Sequence, residues 1–436
     1  MLTQSASDLS PPLEENKRRI AMFFHGFSGG GMEHSMLRLA AGIVARGHAV
    51  EIVVGRRHGE LKDRIPTSVS VTEIGEKKPK EELASIRACL FRVGTDTWPF
   101  LFGKKLKKLR PFQKCVELPA FANYLRHKEP DAVLAAEPRY NLIATLARRS
   151  ARVKTRVVIS ERVQSSLRAA DQGPWAYPHL HNLLRRGYMS ADAIVAVSNG
   201  VADDLAAFAR IPRQRISTVY NPVIGPDVLA LAEEPLDHPW FVPNSPPVIL
   251  AAGRIDRQKD YLTLLRAFAR VREKRQARLV ILGAPGQGCE DYAEEIQSLA
   301  SELRVSEDVS FPGFVANPFP YMARAALFAL SSVYEGLPGV LIQALACGCP
   351  VVSTACPSGP EEILEDGRYG PLVPVGDAQA MADAISKSLD QPLPKEMLRA
   401  RGARFSVQRA VDGYLELLLG AGATAPLETP RAVRRR

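Results

Sequence analysis

The run Tyr334-Glu335-Gly336-Leu337-Pro338-Gly339-Val340-Leu341-Ile342-Gln343 sets a carboxylate and an amide at the two ends of a glycine- and proline-bearing loop. The apolar stretch 327–330 ahead of it ends in Ser331-Ser332, as a strand does at its carboxyl edge, and 340–347 has helical spacing. A loop of this kind opens a helix whose first N–H groups lack partners, and such groups favour a diphosphate. Gly336 and Gly339 let a ligand approach the backbone closely. Pro338 removes a donor that a helix start leaves unpaired anyway. Glu335 precedes the helix and Gln343 lies about one turn inside it. Helical side chains lean toward the N-terminus, so both reach a ligand lying over that end. The competing account is a plain strand–helix connection with an acid near the helix dipole. Local physics leaves the two open.

A second element is Gly253-Arg254-Ile255-Asp256-Arg257-Gln258-Lys259. Arg254 offers a two-pronged fork for phosphate oxygens and Lys259 a point charge. A solvated charged loop is the alternative; a place at the carboxyl edge of a strand, where open sheets bind ligands, counts against it. A third is Gly29-Gly30-Gly31 ahead of Met32-Glu33. A glycine turn before a helix cradles phosphate, yet this one is neither a full GxGxxG fingerprint nor a Walker loop. His25 stands at a strand end and is read there as a hydrogen-bonded residue. In Cys356-Pro-Ser-Gly-Pro-Glu-Glu362, residues Ser358, Gly359 and Glu362 either line a cleft or form a proline-stiffened loop leading into a helix.

These loops need parallel sheets to hold them. Strand 19–24, the glycine turn, helix 32–46 and strand 50–54 make one strand–helix–strand unit, which calls for a parallel sheet. Strands at 132–136, 156–160, 193–197 and 216–219 continue it, while 57–125 has no readable period. Seven prolines between 222 and 247 mark a boundary. A second alternating series then runs from strand 248–252 to helix 378–389. The expected fold class is α/β, two Rossmann-like doubly wound parallel-sheet domains facing across a cleft. The expected organisation is a disordered leader over 1–18, a first domain over 19–224, a linker over 225–246 and a second domain over 247–403. A C-terminal helix over 404–421 packs back on the first domain, and a disordered basic tail fills 422–436.

The 436 residues are 46% hydrophobic and 24% charged, enough for two sizeable cores. The net charge of +10 points to an anionic partner. Lys104, Lys105, Lys107 and Lys108 sit among leucines and suit an anionic membrane surface; a solvated helix face is the alternative. No aromatics interleave with that run, which argues against nucleic acid. The six cysteines form no CxxC pair and no His cluster joins them, so reduced buried thiols are expected and structural zinc is not. Neither a signal peptide nor a membrane-length apolar run is seen. The reading is a cytoplasmic protein, peripheral on the inner membrane face at most.

Taken together, the motifs resemble the retaining, GT-B-fold glycosyltransferases of family 4. The resemblance covers most of 19–420 and is tightest over 248–376. It rests on the turn at 29–33, Ser198-Asn199-Gly200, Tyr220-Asn221-Pro222-Val223, Ala252-Gly253-Arg254 with Lys259, Phe311-x-Gly313-Phe314, Ser332-x-x-Glu335-Gly336, Ala346-Cys347-Gly348-x-Pro350-Val351 and Gly370-x-Leu372-Val373. It implies transfer of a sugar from a nucleotide-diphosphate donor, a UDP-sugar, to a glycan or lipid-linked acceptor in bacterial surface polysaccharide or lipopolysaccharide synthesis. It implies no cofactor and no metal. Arg254 and Lys259 would hold the donor diphosphate. Glu335 would hold the transferred sugar, and Gly253, Gly336, Leu337, Gly339 and Val340 would line the donor site. Phe314 would frame the base, and Gly30 and Gly31 would approach from the first domain. Where the family has a second glutamate on the ribose, this chain has Gln343. Some relatives carry a histidine on the acceptor side; the corresponding edge here is read as Ser160-Glu161-Arg162, making Glu161 and Arg162 candidates beside His25 and Glu362. Alternatives on the same fold are a non-catalytic nucleotide-sugar-binding subunit and a sugar-nucleotide epimerase.

Overall fold

The computed structural model describes residues 17–28, 30–75, 85–86, 88–89, 92, 115–167, 180–286 and 288–420. The expected leader up to residue 16, Gly29, the basic run Lys104, Lys105, Lys107 and Lys108, and the expected tail 422–436 lie outside the described residues.

Two parallel sheets organise the chain. The first holds β1 (Arg19–Phe23), β2 (Ala49–Val54), β3 (Ser70–Glu73), β4 (Ala132–Ala136), β5 (Arg156–Glu161), β6 (Ala193–Ala196) and β7 (Ile216–Thr218) in the order β3-β2-β1-β4-β5-β6-β7. The second holds β8 (Val248–Ala252), β9 (Arg278–Leu282), β10 (Val309–Gly313), β11 (Leu327–Leu330), β12 (Val351–Thr354) and β13 (Leu372–Val373) in the order β10-β9-β8-β11-β12-β13. Sheets covered by helices on both faces need strands apolar throughout, and β4 and β8 are buried at every residue. Each order reverses once, between β1 and β4 and between β8 and β11. Those switch points open a crevice at the carboxyl ends of the strands.

The helices that bear on the site are α1 (Gly31–Ala45), α2 (Pro138–Ala151), α3 (Asn199–Ala209), α4 (Tyr261–Lys274), α5 (Gly339–Ala346), α6 (Pro360–Leu364) and α7 (Val407–Leu419). In α4, Asp260 caps the start by accepting from Thr263 N at 3.2 Å, and Tyr261, Leu264, Leu265, Phe268 and Val271 make one buried stripe.

The chain crosses between the domains twice, side by side. Val223 N and Ile224 N donate to Phe405 O at 3.2 and 3.1 Å, and Val407 N donates to Ile224 O at 2.9 Å. After the return crossing, α7 lays Val411, Tyr414, Leu415 and Leu418 into the core of the first domain. Tyr414 Oη and Ser160 Oγ are 3.1 Å apart there. Within the unread region 57–125 the structure has β3 and a helix over Leu118–Lys128. The pattern hides β3 because it is an edge strand with no fully buried residue. Among the described residues no helix is long and apolar enough to cross a membrane.

Candidate active site

The loops after β8 and β11 are stitched together at the second sheet's switch point. Val333 N donates to Gln258 O at 2.8 Å, Gln258 Nε2 to Tyr334 O at 2.8 Å, and Ser331 Oγ to Lys259 O at 2.7 Å. Asp256 sets the short turn Arg257–Lys259 by accepting from Gln258 N at 2.7 Å. That turn delivers Lys259 Nζ to 2.6 Å from Glu335 Oε1. The same oxygen accepts from Ser332 Oγ at 2.7 Å. The pair is sheltered: the side chains are 15% and 9% exposed. A charge pair so far out of water holds its geometry only while both partners are present. Under it, Tyr261 donates to Gly253 O at 3.1 Å. Burial first, then the nearby Glu335 carboxylate, pushes its phenol far above the usual range, so it stays a donor.

Around this pair the other expected donor residues fall on one side. Arg254, 70% exposed, reaches into open space with only a loose 4.0 Å approach to Asp256. Helix α5 starts at Gly339 with no side-chain cap at Pro338, next to Leu337 and Val340. Gln343 lies half-buried one turn on. Phe314, 64% exposed, follows β10. Across the cleft, α1 starts at Gly30–Gly31 without a side-chain cap, and a side chain at Gly31 would meet nothing within 4 Å. The start of α5 thus has no side-chain cap, whereas α1 already carries the buried Glu33 carboxylate in its first turn, close against Gly30.

The acceptor-side expectations fare differently. His25 is half-buried, with Nδ1 3.1 Å from Tyr140 Oη and its ring edge-on to His58. Glu161 is fully buried, with Oε1 accepting from Asn141 Nδ2 at 3.2 Å and from Tyr188 Oη. Arg162 is 8% exposed and donates to Asn221 Oδ1 at 2.7 Å and Met36 Sδ at 3.0 Å. The Glu362 carboxylate is held at the start of α3, as described below. The reading of the sequence missed Glu137, at the β4 end of the first switch point, with φ 79° and ψ 146°, a conformation that favours glycine. It also missed the pair beside it, Arg139 bonded to the buried Glu117 at 2.5 and 2.6 Å. The signal available was Glu-Pro-Arg-Tyr directly after an apolar strand.

Residues 246–391 match the family described as Glycosyl transferases group 1, and residues 30–222 the Glycosyl transferase 4-like domain. The N-acetylgalactosamine-N,N'-diacetylbacillosaminyl-diphospho-undecaprenol 4-alpha-N-acetylgalactosaminyltransferase of Campylobacter jejuni is 31% identical over 322 residues, 71% of this chain and 83% of that relative. The chain belongs to the group 1 glycosyltransferases. Another relative of this group 1 glycosyltransferase is the lipopolysaccharide core biosynthesis glycosyltransferase LpsE of Rhizobium meliloti, 30% identical over 53% of this chain and 65% of the relative. Among solved structures, the lipopolysaccharide outer core galactosyltransferase WaaB shares the fold with a TM-score of 0.65 at 19% identity, over 92% of this chain and 99% of WaaB. Anabaena HepE in complex with UDP and glucose does so with a TM-score of 0.68 at 19% identity, over the same shares. The two parallel-sheet domains are thus the GT-B fold, and the enzyme is a glycosyltransferase.

Proposed function

We propose that this enzyme moves a sugar from a nucleotide-diphosphate donor, a UDP-sugar, to a glycan or lipid-linked acceptor of a surface polysaccharide or lipopolysaccharide, with retention and without a metal. The observation that carries the reading is the sheltered Lys259–Glu335 pair beside the uncapped start of α5, with Arg254 free to reach over it. Two cations and a helix start aimed at one place suit a leaving group that gains negative charge as its bond to the sugar breaks. Lys259 already holds Glu335, so a bound diphosphate would share its ammonium. Glu335 then keeps its other oxygen for hydroxyls of the transferred sugar. Closure of the two domains over the donor excludes water and limits hydrolysis. The lipid-linked or lipopolysaccharide acceptor is supported by what the names of the Campylobacter and Rhizobium relatives say of those proteins.

The deciding experiment is Arg254→Ala. It removes a largely exposed side chain, so folding should be untouched while the transfer rate drops about 100-fold or more. Radiolabelled sugar transfer across a panel of UDP-, GDP- and ADP-sugars measures it, and an unchanged rate would remove Arg254 from the mechanism. Gln343 gives a second test. A carboxylate accepts from two ribose hydroxyls where the amide has one acceptor oxygen. Gln343→Glu should therefore tighten the nucleoside diphosphate by about 1–2 kcal/mol, roughly 5- to 30-fold in Kd. Calorimetry reads this directly, and weaker binding would place the ribose elsewhere.

A further inference from the structure

We infer that Glu362 is a positioning residue for transfer: its carboxylate, carried by the second domain, completes the start of α3 in the first domain and so holds the cleft closed with the donor loop in place. This rests on the donor-loop reading above.

A helix start leaves its first amides without partners. In α3, Ser198 supplies one by accepting from Val201 N at 3.2 Å. The next two are satisfied from across the cleft. Asn199 N donates to Glu362 Oε2 at 2.9 Å and Gly200 N to Glu362 Oε1 at 2.8 Å. Tyr220 Oη adds a third bond to Oε2 at 3.2 Å. Both carboxylate oxygens are thus engaged by the other domain, and the negative charge lies against the positive end of the helix dipole. Opening the cleft would return two amides and a carboxylate to water together.

Glu362 is braced from behind by Arg401, although α6 has only five residues. Arg401 donates to the carbonyls of Glu362 and Ile363 at 2.5 and 2.8 Å and pairs with Glu365 at 2.6 Å. Its guanidinium lies over the rings of Tyr369 and Phe405. From there the contact runs to the donor loop. Glu335 N donates to Pro357 O at 3.3 Å. Gly359, at φ 90°, packs so tightly that a side chain there would come within 2.6 Å of Pro338 Cδ. On the first-domain side, a methyl at Gly200 would fall 2.7 Å from Ser358 Oγ and 2.9 Å from Ser358 Cα. Segment 357–362 is therefore wedged between the start of α3 and the loop that carries Glu335.

Glu362→Gln tests this. The shape is kept, but one acceptor oxygen now faces two donors, and the new NH2 group opposes an N–H. Amide hydrogen exchange on the protein alone should speed up about tenfold or more in the peptide covering Asn199 and Gly200. The kcat for transfer should fall by a similar factor, with little change in the KM for donor. Gly200→Ala, which leaves Glu362 intact and wedges the seam apart, should show the same pair of changes, and circular dichroism checks that both variants are folded. Unchanged exchange at those amides overturns the proposal, and so does faster exchange with unchanged kcat. Because the exchange needs no ligand, it reads the contact even if no nucleotide sugar is turned over. Absence of turnover in the native protein would sink the donor reading, while unchanged exchange in Glu362→Gln would by itself overturn the interdomain contact.

Discussion

Gly336→Ala is expected to lose transfer by at least about 100-fold while remaining folded, because an error of about 1 Å at a reacting centre costs that much. A methyl at Gly336 would lie 3.0 Å from the carbonyl carbon of Arg162 and closer still to its oxygen. That obstacle is backbone at the end of β5 and cannot swing aside. Either the domains separate, which opens the cleft beside the donor loop, or the donor loop tilts, which moves Glu335 away from Lys259 and Ser332. Transfer assays beside a thermal melt separate this from misfolding. A rate near that of the native enzyme would mean that the seam between Gly336 and Arg162 is not part of the working conformation.

Lys259→Met should do two things at once. It strands the Glu335 carboxylate, 9% exposed, with Ser332 as its remaining partner on that oxygen. Removing one member of a buried ion pair costs about 3–5 kcal/mol. It also takes a cation from the leaving group, worth about 100- to 1,000-fold in rate. The two effects separate in the double variant Lys259→Met with Glu335→Gln. Neutralising the stranded acid should restore most of the stability, since contacting residues do not add independently. Activity should stay lost. Denaturant unfolding and transfer rates on the three variants measure both. A single Lys259→Met protein as stable as the native one would show that the pair is not closed in solution.

The positions of Arg254, Lys259 and Glu335 were legible because each follows an apolar strand. Burial on both faces makes β8 and β11 read as short hydrophobic runs, which puts Arg254, Lys259 and Glu335 at carboxyl edges from the sequence pattern. The distance from Lys259 to Glu335 was not legible, since it depends on how two loops 76 positions apart are stitched together. The acceptor side was harder for the same reason. Glu161 stands at a strand end like a working acid, but whether such a residue faces a ligand or the core is decided by Asn141 and Tyr188, which pattern alone does not bring near. Glu362 carries no local sign that its partners are amides 163 and 162 positions away. The helix Lys395–Gly402, which supplies Arg401, escaped because only Leu398 and Gly402 of it are buried.

The return of α7 to the first sheet bears on how the molecule is made. Tyr414 meets Ser160 across 254 positions, and Arg156 donates to Leu417 O across 261. A chain leaving the ribosome finishes all seven strands of its first sheet long before the helix that covers them exists. Until translation passes residue 418, the strip formed by Leu39, Ile43 and their neighbours has no lid. The first half to be synthesised is thus the last to be completed, and its apolar strip is open to other chains throughout the synthesis of the second.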